Sequence, residues 1–219
     1  MTTRPLLLGH RGARAHKSVA ENTLASFDLC LAHGCDGFEF DVRLSADGEA
    51  VICHDAKTSG MNIAQTRVRD LNLPTLHEVL ERYSRRAFLD IELKVPGLER
   101  HTSTLLRQFP PKRGLVVSSF LPEVLVALHT ESPEIPLGLI CENKRQFAEW
   151  KRLPIGFVML HQRLATQAAI HEITAAGQQV FVWTVNRESA MRRFIQQGVA
   201  GLISDQTAFL GRLRPSQHD

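Results

Sequence analysis

The chain has 219 residues, 43% of them hydrophobic, 22% charged and 6% aromatic, with a formal charge of +3. That composition excludes a mainly disordered chain, and the mild positive bias permits an anionic substrate without requiring nucleic acid. No apolar run approaches the roughly 20 residues that span a bilayer, and three leucines after Pro5 are too few for a secretory leader, so a cytoplasmic chain with no membrane span is expected.

In chain order, Leu6–His10 reads as a strand and 22–33 as a helix, with Gly34 as its stop. Gly37–Leu44 is the second strand. The segment 55–73 has weak periodicity and reads as a short inserted loop, a candidate lid. A helix over 75–83 opens on a capping-box pattern, Thr75 with Glu78. Then come a strand over 87–94, a helix over 98–108, a strand over 115–120 and a helix over Pro122–Glu131. Leu137–Cys141 precedes a helix over 144–151, and a strand over 156–161 precedes a helix over 166–176. A strand over 180–185, a helix over 188–197, the strand Gly201–Ser204 and a helix over 207–213 complete the order.

Strict β-then-α alternation favours parallel strands, and nearly continuous apolar runs suit strands covered on both faces. Eight such units predict one α/β domain over 1–219, a closed (β/α)8 TIM barrel with a short insertion after the second strand and a polar tail over 212–219. An open doubly wound sheet lacks its best sign, a G-x-G-x-x-G after the first strand. Cys30, Cys35, Cys53 and Cys141 form no C-x-x-C pair and no zinc spacing, and read as buried reduced thiols.

Active sites of such barrels lie at the C-terminal ends of the strands. Side chains alternate along a strand. Glu39 and Asp41 therefore share the inward face while Phe38 and Phe40 face the helices. Asp90, Glu92 and Lys94 share a face likewise. Buried unpaired carboxylates are costly. Either an ion-pair network with Lys94, Arg43 and Arg11 or a hard divalent cation must compensate them. His10 ends the first strand and His54 meets the same rim, where two histidines can serve as base and acid near neutral pH. Arg11 can hold a phosphate oxygen through paired donors. His161, also at a strand end, is a lesser candidate, and His33 reads as a helix-end partner.

Seven segments occur in order: His10-Arg11-Gly12, Ala20–Phe27, Gly34–Val42, His54-Asp55, Glu92-Leu93-Lys94, Trp183–Asn186 and Gly201–Asp205. Together they resemble the glycerophosphodiester phosphodiesterase family over nearly the whole chain. Ala20 stands where the family has proline, and the insertion after His54 is shorter than in many relatives. The resemblance implies a metal-dependent barrel that hydrolyses glycerophosphodiesters, such as glycerophosphocholine or glycerophosphoethanolamine, to an alcohol and sn-glycerol 3-phosphate. It implies one divalent cation, Mg2+ first with Ca2+ or Mn2+ as alternatives, on Glu39, Asp41 and Glu92. It implies His10 and His54 as the acid–base pair, Arg11 as a phosphate ligand, Lys94 as added positive charge and Trp183 in the substrate pocket. The partner expected is a small molecule, and the assembly a monomer or homodimer. Rival readings are a lysophospholipase D-type or other phosphodiesterase on the same barrel, and a phosphate-binding module without catalysis.

Overall fold

The computed structural model describes residues 4–213. Its eight barrel strands are β1 (Leu6–His10), β2 (Gly37–Leu44), β3 (Phe88–Leu93), β4 (Leu115–Ser119), β5 (Leu137–Cys141), β6 (Phe157–His161), β7 (Gln179–Trp183) and β8 (Gly201–Ser204). Each pairs in parallel with the next, and β8 returns to β1, so the sheet closes. The helices are α1 (Leu24–Ala32), α2 (Leu76–Tyr83), α3 (Glu99–Gln108), α4 (Pro122–Glu131), α5 (Lys144–Phe147), α6 (Gln167–Ala175), α7 (Glu188–Gln196) and α8 (Thr207–Gly211). The expected (β/α)8 barrel is therefore the fold.

Strand alternation builds two cores. Inside the barrel, Leu8, Val116, Ile140, Phe157, Met159, Phe181 and Ile203 pack against one another. Between sheet and helices, Phe38 stacks on Phe27 of α1 with centroids 4.2 Å apart, and Tyr83 of α2 meets Phe38 edge-on at 5.0 Å. Offset-stacked and T-shaped pairs of this kind add specific geometry to the area buried. Parallel β2 and β3 approach closely at Gly37, where a Cβ would fall 1.8 Å from the Phe88 carbonyl oxygen, so only glycine fits.

Three local readings change. α1 starts at Leu24 rather than at residue 22. Thr23 is the cap that accepts the Ser26 N–H, and Asn22 sits at φ 57°, outside the helix. The helix expected over 144–151 ends at Phe147, and the chain tightens into a 3-10 turn over Trp150–Arg152 that buries Trp150 ahead of Pro154. The segment 55–73 is not plain loop. It holds the two-residue strands Lys57–Thr58 and Met61–Asn62, a 3-10 turn Ile63–Gln65 and a short helix Val68–Leu71. Its buried Ile63 and Leu71 form a small core with Val51 of the strand Ala50–Ile52, which periodicity over so short a span does not show. Ala50–Ile52 adds an antiparallel strand to the end of β2. The capping box at Thr75 forms as read. The tail read over 212–219 lies outside the described residues from 214 onward. All four cysteines are free, Cys53 only half-buried and the others buried.

Candidate active site

Register places the site. His10 lies beside Glu39 in the β1–β2 pairing, and Glu39 and Asp41 lie beside Asp90 and Glu92 in the β2–β3 pairing. Three neighbouring strands thus deliver their inward polar residues to one end of the barrel. One carboxylate oxygen each from Glu39, Asp41 and Glu92 lie within 4.8 Å of one another, all three residues buried.

The loop after β1 supplies one cation, Arg11, and the end of β3 supplies the other, Lys94. Arg11 adopts φ 51°, a left-handed conformation that turns its backbone N–H onto Glu39 Oε2 at 2.9 Å. Gly12 follows at φ 79°, where a Cβ would meet Ser26 Oγ at 2.4 Å. The Arg11 guanidinium donates to Glu21 at 2.7 Å and reaches Asp41 Oδ2 at 3.2 Å. Lys94 Nζ lies 2.6 Å from Glu92 and 3.2 Å from Asp41. Arg43 does not join this network. Its Nε donates to the His54 carbonyl at 2.8 Å, so it positions the histidine loop instead.

The positive charge is insufficient. Four buried carboxylates, Glu39, Asp41, Asp90 and Glu92, face Arg11 and Lys94, and Arg11 is also shared with Glu21. Asp41 nevertheless stays below the usual carboxylate range: burial would raise it, but Lys94, Arg11 and the Asn22 hydrogen bond outweigh burial. Burial, then the neighbouring carboxylates, pushes Glu39 well above its usual value. Glu92 rises to about 7 through burial and Asp41, and Asp90, bonded to Ser118 Oγ at 2.6 Å, rises to about 7 chiefly through burial. Among the described residues, buried Glu39 Oε1 has no hydrogen-bond or ion-pair partner. An all-oxygen cluster with surplus negative charge and an orphaned oxygen fits a hard divalent cation.

Both candidate histidines are braced by carboxylates. His10 Nδ1 lies 2.7 Å from Asp205 Oδ1, and His10 Nε2 faces inward, 3.9 Å from Glu39 Oε2. Burial alone would raise Asp205, but the His10 hydrogen bond and charge and the Asn186 bond hold it down at about 2. A carboxylate only accepts, so Nδ1 carries a proton, and in the neutral ring the lone pair is the one on Nε2, which faces the cavity. His54 Nδ1 pairs with Asp55 in the same way at 2.7 Å, and burial sets the His54 pKa below its ordinary value.

These groups share a cavity of about 330 Å³ whose lining includes His10, Arg11, Glu39, His54, Glu92 and Lys94. Trp183 lines it as well. The eight residues that the family resemblance assigns to the site therefore meet at one place, Asp41 beneath the lining. His161 instead packs edge-on against Trp183 at 5.2 Å, and His33 bonds Thr207 at the end of α1. Sequence reasoning gave no role to Asp205, Asn22 or Asn186. Asn22 Nδ2 donates to Asp41 Oδ2 at 2.8 Å, and Asn186 Nδ2 donates to Asp205 Oδ2 at 2.6 Å. Each sits within or at the end of one of the seven segments, Asn186 and Asp205 just past a strand end and Asn22 just ahead of α1, which was the available signal.

A family model described as the glycerophosphoryl diester phosphodiesterase family matches residues 10–104 and 94–208. A glycerophosphodiester phosphodiesterase of Caldanaerobacter subterraneus subsp. tengcongensis is 28% identical, over 91% of this chain and 93% of that one. Among solved structures, an Oleispira antarctica phosphodiesterase in complex with the product sn-glycerol-3-phosphate is 29% identical, with a TM-score of 0.84 over 95% of this chain and 96% of that one. A Thermotoga maritima glycerophosphodiester phosphodiesterase is 25% identical, with a TM-score of 0.82 over 98% of this chain and all of the other. With its family model spanning most of the chain and its site assembled at the expected rim, the chain belongs to the glycerophosphoryl diester phosphodiesterase family.

Proposed function

We propose that the chain hydrolyses glycerophosphodiesters to an alcohol and sn-glycerol 3-phosphate, with His10 and His54 as the acid–base pair and one divalent cation held by Glu39, Asp41 and Glu92. The observation that carries this reading is the shared cavity, in which a buried carboxylate cluster with an unpartnered Glu39 oxygen meets two histidines braced by acids. The Oleispira relative, solved with sn-glycerol-3-phosphate, supports the product side.

Mg2+ leads the candidate ions, with Ca2+ and Mn2+ as alternatives, since all accept carboxylate oxygens. A bound divalent cation would neutralise charge on the phosphoryl group. Arg11 and Lys94 bind the phosphoryl oxygens from the same side and stabilise the charge that builds in the transition state. One histidine Nε2 takes the proton of the attacking oxygen, from water directly or from the substrate's own glycerol 2-hydroxyl, the latter giving a cyclic phosphate that water then opens to sn-glycerol 3-phosphate. The other histidine delivers a proton to the departing alcohol oxygen. Asp205 and Asp55 hold the two rings in the tautomer this exchange needs. Trp183 lines the path of the substrate.

His10→Ala and His54→Ala test the pair. Both side chains project from strand ends or loops rather than from a packed core, so the variants fold. General acid–base catalysis contributes roughly 10²–10⁴-fold, and kcat falls by that order in each. A folded His54→Ala protein with unchanged kcat removes that residue from the mechanism.

A further inference from the structure

The cavity has two unlike halves. Strands β1 to β3 and the loops after them supply its charged side. The opposite side is built by Phe120, Ile140, Met159, Trp183 and Ile203, with Lys94 Nζ 5.6 Å from the Phe120 ring centroid where the halves meet, and among the described residues Glu142 is the one charged residue of its own lining. Glu142 follows β5 at the rim and is exposed. Its backbone N–H is held by the Gln146 side chain at 2.9 Å, which fixes the loop. Among the described residues its carboxylate accepts no hydrogen bond and joins no ion pair, and it has no part in the carboxylate cluster of β2 and β3.

Among the described lining residues, the wall beside it has no free side-chain donor. The Trp183 indole N–H is spent on the Met159 carbonyl at 2.9 Å. The Trp183 ring meets Phe120 edge-on, with centroids 5.7 Å apart at 83°. A phosphodiester seated with its phosphate on Arg11 and Lys94 places one of its two ends against this wall. The glycerol end carries two hydroxyls that need partners, and the charged half supplies them. The wall instead offers aromatic and aliphatic surface plus one carboxylate. An onium group needs no hydrogen bonds and is attracted both by ring faces and by a carboxylate.

We propose that the site selects glycerophosphodiesters whose leaving alcohol is positively charged, choline before neutral alcohols, with Glu142 as the specificity-determining residue and Phe120 and Trp183 as the apolar cradle. This inference rests on the phosphodiesterase reading above. A neutral alcohol gains nothing from Glu142, and an anionic one is repelled by it. Exposed ion pairs and cation–π contacts are each modest, and together they are expected to give about a tenfold preference.

The test compares kcat/KM for glycerophosphocholine and for glycerophosphoglycerol, whose leaving alcohol is neutral. It uses the wild-type protein, Glu142→Gln and Glu142→Lys, all with the same divalent ion. The expected wild-type ratio favours choline about tenfold. It falls to within about threefold of unity in Glu142→Gln and below unity in Glu142→Lys. A merely structural role would lower both substrates alike and leave the ratio where it was. A wild-type ratio near unity, or a ratio unmoved by Glu142→Gln, overturns the headgroup assignment while hydrolysis of both substrates upholds the reaction class. Hydrolysis of neither substrate by folded wild-type protein overturns the phosphodiesterase reading and this inference with it.

Discussion

Asp205→Asn is the sharpest perturbation of the proposed acid–base machinery, because it changes one atom and leaves the shape. In the native protein both carboxylate oxygens accept. Oδ1 takes His10 Nδ1–H at 2.7 Å and faces Arg14 Nη1 at 3.4 Å, while Oδ2 takes Asn186 Nδ2–H at 2.6 Å. An amide has one acceptor oxygen, so one of these donors must face an N–H₂. If that donor is His10, the ring flips its tautomer and Nε2 loses the lone pair aimed into the cavity. The loss is then that of one acid–base partner, roughly 10²–10⁴-fold in kcat, or about 2.7–5.4 kcal/mol at about 1.36 kcal/mol per decade. Losing a charge-assisted bond at this partly buried site costs about 1–2 kcal/mol of stability, and each kcal/mol shifts Tm by roughly 2–4 °C in a chain of this size. The assay is sn-glycerol 3-phosphate release under saturating substrate, beside a thermal melt and a nitrogen NMR reading of the His10 tautomer. A variant that keeps kcat within about threefold, with His10 protonated on Nδ1 as before, refutes the bracing role of Asp205.

Two further predictions concern the carboxylate cluster. Glu39→Gln removes a carboxylate that burial and its neighbours push well above its usual pKa, so without ions the variant is at least as stable as wild type. An ion at about 100 times its Kd stabilises the wild type by about 2.7 kcal/mol, roughly 5–11 °C of Tm, and Glu39→Gln loses half or more of that shift. An equal shift in both proteins places the ion elsewhere. The second prediction is a pH trend. Asp90 and Glu92 sit at about 7 in the folded chain, above the roughly 4 of unfolded carboxyls. Between these values the folded state binds more protons, so stability in EDTA falls as pH rises from about 5 to about 8. Asp41 and Asp205 are held low and act below that window. A divalent ion stabilises more at pH 8 than at pH 5, because the carboxylates must shed protons to hold it. Melts at several pH values, with EDTA and with Ca2+, check the trend; a midpoint in EDTA that climbs over the same range contradicts it.

The barrel was legible because its strands are apolar nearly throughout and its polar exceptions fall at strand ends. The i,i+2 spacing of Glu39 with Asp41 and of Asp90 with Glu92 fixes a face, and adjacency of β2 and β3 then brings the acids together. Other features depend on contacts that are distant in sequence. Asp205 reaches His10 across 195 positions, and Asn22 braces Asp41 only because its backbone turns left-handed. Arg43 shares the parity of Asp41 on β2, yet the added strand Ala50–Ile52 brings the His54 carbonyl within its reach and draws it out of the cluster. The substructure of 55–73 rests on two buried side chains of its own, Ile63 and Leu71, packed with Val51, too few to make a period. Glu142 carried no signal, since one acid after a strand is ordinary until the fold sets it against Phe120 and Trp183.

The central claim is that the buried carboxylates of β2 and β3 hold an ion required for phosphodiester hydrolysis. The most direct measurement is sn-glycerol 3-phosphate release from glycerophosphocholine by the purified protein, in EDTA and after Mg2+, Mn2+ or Ca2+ is restored. Release is expected to vanish in EDTA and to return with at least one of these ions. Release undiminished by EDTA, or none from folded protein with any of the three ions, would contradict it.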